Sequence, residues 1–186
     1  MKKKLLTLTL FVSIALNLLA QNPYLNVDSL ELALEETKSE AGCFAHKSTV
    51  RNAAIFFLNT PAEQKKSENP VLQLKRYKCL ILVNQWIEQT PEAVLTLDDD
   101  MMKGILIRGS KGVDLMSAYI AAMVTYVIEN HVDKLTKEGY LYTMDETLRY
   151  YVQNKKAIGK SRHMEELLAL SEEERKQVLS DRYKDY

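Results

Sequence analysis

Along this chain, apolar residues recur at helical spacing and almost never alternate with polar ones. Between Thr49 and Asn59, Ala53, Ala54, Phe57 and Leu58 fall on one side of a helix. Ser48 stands where a cap is wanted, and Pro61 ends the element because proline cannot continue a helix. Asn69-Pro70 opens the next one with a capping side chain and a proline at the first helical position, where a missing N–H costs nothing. Leu72, Leu74, Tyr77, Leu80, Ile81, Val83, Trp86 and Ile87 make this helix, 70–89, apolar on most sides. That predicts a central position, with Trp86 buried. Upstream, Asp28 precedes Ser29-Leu-Glu-Leu-Ala-Leu-Glu-Glu, placing acids in the first turns, and Gly42 is expected to close the segment.

The most apolar stretch runs from Val113 to Ile128, where only Asp114, Ser117 and Thr125 are polar. It is about 16 residues between polar flanks, short of the ~20 that a membrane span needs. The expectation is therefore the buried centre of a bundle. Thr143–Lys156 and His163–Tyr183 complete the set, the latter with a capping box at Ser171-Glu-Glu-Glu174. No stretch keeps a period of two, and the hairpin pairs Asn-Gly and Asp-Gly are absent. The predicted class is all-α: one domain of six or seven packed helices, an orthogonal or up-down bundle organised around 70–89 and 113–129. Ile55-Phe-Phe-Leu-Asn-Thr-Pro61 and Gln85-Trp-Ile-Glu-Gln-Thr-Pro91 echo each other at a spacing near that of helix-hairpin repeats, yet the remaining positions of that pattern are missing.

The first twenty residues change the picture. Lys2, Lys3 and Lys4 precede an apolar run from Leu5 to Leu19 and a small residue, Ala20, which is the layout of a secretory signal peptide. Residues 1–20 are expected to be removed, leaving 21–186 as a single soluble domain, periplasmic or extracellular. The first cysteine is Cys43, so a lipid-anchored mature terminus is not expected. The formal charge of the whole chain is zero, and losing three lysines makes the mature chain mildly acidic. That balance lacks the basic footprint of a nucleic-acid binder. Export also places Cys43 and Cys79 in an oxidising compartment. A bridge would close a loop of about 37 residues, worth roughly 3–4 kcal/mol in the chain-entropy model. Cys79 lies in an apolar run, and a buried thiol is the equal alternative.

Candidate chemistry is sparse. Asp98, Asp99 and Asp100 are the densest acidic cluster, but Thr96 with Asp99 matches a capping box. A calcium loop would require glycine and an acid where Lys103 and Gly109 stand. Arg108-Gly-Ser-Lys-Gly112 lacks the spacing of a phosphate loop and reads as a turn between helices. His46, His131 and His163 are dispersed, and His131 is placed near a helix C-terminus. No catalytic, cofactor or metal residue is expected. Ten tyrosines are present, and Tyr140, Tyr142, Tyr150 and Tyr151 form a candidate binding surface, against the plainer reading of most of them as core.

Leu18-Leu-Ala-Gln-Asn22 at the end of the export segment, and Leu97-Asp-Asp-Asp-Met-Met-Lys-Gly104 before an Ala/Tyr-rich helix, are similar in style to secreted all-helical proteins of Gram-negative anaerobic bacteria. The resemblance carries no activity with it. The functional expectation is an exported, non-enzymatic binding or scaffold module whose partner is protein or glycan. The alternative is an envelope hydrolase whose carboxylates are gathered by folding.

Overall fold

The computed structural model describes residues 25–62, 69–91 and 110–183. Among them are eight helices and no strand: α1 Val27–Glu36, α2 Glu40–Ala45, α3 Lys47–Asn59, α4 Pro70–Gln89, α5 Ser110–Asn130, α6 Lys137–Ile158, α7 Arg162–Leu168 and α8 Glu172–Arg182. The all-α class follows, and so do several boundaries read from the caps. The Asn69 side chain accepts from the Leu72 N–H with Pro70 at the helix start. Ser171 and Glu174 form both hydrogen bonds of the capping box.

Other boundaries differ. Gly42 does not close the first segment. The chain breaks after Glu36, Ser39 recaps it by accepting from the Gly42 N–H, and Gly42 lies buried inside α2. A Cβ at Gly42 would stand 1.8 Å from the Glu36 carbonyl oxygen, so this crossing of two short helices depends on a bare backbone. The helix expected from Thr143 begins six residues earlier, capped by Thr136, because Gly139 packs directly under the Tyr126 ring. The final segment, 163–183, is two helices with a turn between Leu168 and Ser171.

Four long helices carry the core. α3 and α4 are antiparallel: Gln73 at the start of α4 donates to the Pro61 carbonyl, while Trp86 near its end donates to the Cys43 carbonyl just before α3. α5 runs against α3, since Arg51 at the start of α3 pairs with Glu129 at the end of α5. Arg76 pairs with Asp114 near the starts of α4 and α5, so those two run the same way. α6 turns back along α5 and ends where α3 ends, with Arg149 on Asn59 and Asn154 on Ala62.

α5 is the centre, as its all-round apolarity predicts. Leu115, Ala118, Tyr119, Ala121, Ala122, Met123, Val124 and Val127 are buried. Alanines at three of these positions let α3 and α6 approach closely. At 21 residues α5 is longer than the sequence pattern suggested, and Gly112–Asn130 has the length and composition of a span. Its buried faces nevertheless put it inside the bundle. Burying each large side chain of this core contributes roughly 1.5–3 kcal/mol. Trp86, Tyr119, Tyr140, Tyr150, Tyr151 and Phe57 are the largest of them.

Candidate functional site

Three of the four tyrosines proposed for a binding surface are interior, which corrects that expectation. Tyr140 packs against Tyr183 with ring centroids 5.9 Å apart. Tyr150 stacks on Phe57 at 5.7 Å. Tyr151 donates to Glu165 at 2.6 Å and accepts from the Ser161 N–H at 3.0 Å. The physical reason is that α6 is covered on more than one side, by α5, α3 and the C-terminal pair of helices. Tyr140, Tyr150 and Tyr151 fall on its covered sides, and its exposed positions go to residues such as Asp145, Val152, Gln153 and Lys156. Only Tyr142 is half-buried, beside Tyr126 at 5.6 Å. Burial first, then the carboxylates of Glu146 and Glu129, push its phenol up to about 12.

Cys43 and Cys79 are both buried and both thiols, so the bridge is not formed in this structure. The Cys43 Sγ donates to the Thr37 carbonyl at 3.5 Å. Burial pushes the Cys79 thiol up to about 12, against a small opposing effect of Lys75. The antiparallel packing of α3 and α4 does bring α2, which carries Cys43, onto α4. The Cys43 carbonyl meets the indole of Trp86, seven residues beyond Cys79 and therefore about 10 Å further along the axis.

The histidines are held apart. His46 meets Glu36 at 2.6 Å, and His163 meets Arg182 at 3.2 Å. His131 terminates α5 in the left-handed region with φ 53°, and the next N–H, of Val132, bonds back to Val127. That is a helix-closing geometry usually given to glycine. His131 also lines a cleft of about 220 Å³ with Lys47, Trp86 and Asp133. Asp98–Asp100, with Thr96, lie outside the described residues, as do Arg108 and Gly109, while Ser110, Lys111 and Gly112 begin α5. Among the described residues no group of three or more His, Cys, Asp and Glu could hold a metal.

Two features escaped the sequence reading. The first is a buried polar cluster joining four helices. Arg76 of α4 donates to Asp114 of α5 at 3.0 Å and to the phenol of Tyr150 on α6. Its guanidinium lies 4.1 Å above the ring of Phe57 on α3. Burial, and then the opposing influences of Arg76 and Asp114, push the Tyr150 phenol up to about 12, so it stays protonated. Residues 38 and 74 positions apart leave no local spacing to read. The one hint was a lone aspartate, Asp114, in the most apolar helix.

The second is an apolar face on α4. Leu74 and Tyr77, expected inward, are 55 % and 61 % exposed, and Val71 is 77 % exposed. They stand three residues apart on one side of the helix, spanning about 9 Å of its axis. The inward side of α4 is taken by Arg76, Cys79, Leu82, Val83 and Trp86, which leaves Val71, Leu74 and Tyr77 on the opposite, uncovered side. Compared with protein-family models, curated proteins and solved structures, the chain matches none.

Proposed function

We propose that this chain is an exported, non-enzymatic helical module that binds another protein in the cell envelope through the exposed face of α4. The observation that carries the reading is the run Val71, Leu74 and Tyr77. Three large apolar side chains in register on a rigid helix resemble the anchors by which helical surfaces engage partners. Single exposed apolar residues are ordinary, but a contiguous row on one element is the signature of an interaction site. Tyrosine supplies a polar tip beside apolar area, which suits a surface that is alternately wet and covered.

A glycan partner finds less support, because the aromatic platform that would stack on sugar rings is drawn into the core at Tyr140, Tyr150 and Tyr151. Export rests on the basic start and apolar run of residues 1–20. The hydrolase alternative would have to use groups such as Arg76, Asp114 and Tyr150. There the phenol oxygen accepts from the arginine, and the arginine also occupies the carboxylate, an arrangement suited to holding helices together.

The test is a comparison of wild-type protein with the Val71→Ser, Leu74→Ser, Tyr77→Ser variant in native extracts of the envelope. Because these side chains are exposed, the variant keeps its helical circular dichroism. The reading expects the wild type in a complex larger than the monomer and the variant released from it. Identical migration of the two would sink it.

A further inference from the structure

We propose that His163 and Arg182 form a proton-sensitive latch, holding the last turn of α8 against the start of α7 only while the imidazole is neutral. Arg182 Nη1 lies 3.2 Å from His163 Nε2. An arginine is always protonated and can only donate, so Nε2 must accept. The ring is therefore the neutral tautomer with its proton on Nδ1. Protonating Nε2 removes the acceptor and sets two cations face to face.

The surroundings leave this pair poorly compensated. From α8, Arg182 is the charge that acts on the ring. From α7 itself, Glu166 pulls the other way, but it is tied to Arg162 at 2.7 Å. The charge that α6 sends toward α7, Lys155, goes to Glu165 at 2.6 Å, and Arg175 of α8 turns to Asp145 of α6 at 3.8 Å. Burial first, and the Arg182 charge second, hold His163 below its ordinary value. The sign follows directly. A histidine depressed in the folded state contributes fully above its unfolded value and loses that contribution as the pH falls through the window below it.

The chain on either side of Arg182 has anchors of its own. Leu179 is buried, Tyr183 packs on Tyr140, and the Tyr183 hydroxyl donates to the Leu135 carbonyl at 3.0 Å. Acid thus loosens the turn at Arg182, between those anchors, without detaching the helix.

The experiment is an imidazole titration by NMR on the intact chain, with amide exchange of residues 178–183 followed between pH 7.5 and 5. We expect the His163 ring to titrate below free histidine, and Arg182→Met to raise that value. Protection of the last turn, measured against intrinsic rates, should fall with pH in the wild type. His163→Gln, whose amide oxygen still accepts but does not titrate, should keep its protection throughout. A His163 value at or above that of free histidine overturns the latch, as does indifference to Arg182→Met or an equal acid loss in His163→Gln.

Discussion

Removing the Tyr150 hydroxyl tests whether the buried cluster fastens α4 to α6. Tyr150 is fully buried, and its oxygen accepts from Arg76. Tyr150→Phe keeps the ring on Phe57 and deletes one hydrogen bond to a charged donor, a loss of about 1.5–3 kcal/mol. The remaining guanidinium is 12 % exposed and its Nε already has no partner, so little water can replace the hydroxyl. The upper half of that range is therefore expected. Arg76→Met removes the same hydrogen bond from the other side, together with the contact over Phe57, worth about 0.5–2 kcal/mol. It also frees Asp114, which is 34 % exposed and can hydrate, so its ion pair adds little after screening. Because both substitutions break one shared bond, the double variant should be less destabilised than the sum, by about 1–2 kcal/mol. Urea unfolding followed by far-ultraviolet circular dichroism and Trp86 emission measures all three. Additive losses, or a neutral Tyr150→Phe, would refute the coupling.

Three further outcomes follow from burial. Trp86→Ala should cost about 3–5 kcal/mol through lost packing and a cavity, and the native indole should emit as a buried one; water-like emission contradicts this. Cys43 and Cys79 should resist alkylation in the native protein and take two adducts after unfolding without reductant, read by intact mass, whereas no adducts would mean a bridge. Tyr142 and Tyr150, both pushed up to about 12, should remain protonated at pH 10.5 in an absorbance titration. The unfolded chain loses those protons first, so stability should fall as the pH rises from 10 toward 12.

What the sequence made legible was local. Asn69-Pro70 and Ser171–Glu174 state their helix starts through side chains within three residues of the backbone groups they satisfy. The apolarity of 113–128 likewise fixes its own burial, since a helix without a polar side must be enclosed. The misread positions depend on distant neighbours. Gly42 looks like a terminator until Glu36 is known to cross it, and the helix expected from Thr143 starts earlier, with Gly139 in its first turn against Tyr126. Leu74 and Tyr77 have the composition of core residues, and only the choice of which side of α4 meets its neighbours leaves them outside. The Arg76 cluster draws on four separate helices and had no signal beyond the lone Asp114.

The central claim, that the apolar face of α4 is a protein-binding surface, is tested most directly by a photoreactive amino acid at position 74 in cells that export the chain. A second probe at Glu88, exposed at the far end of the same helix, serves as the control. Illumination should yield one discrete adduct with another envelope protein from position 74, abolished by Val71→Ser with Tyr77→Ser, and none from position 88. A folded, exported chain that gives no adduct at 74, or the same diffuse products from both positions, would contradict the account.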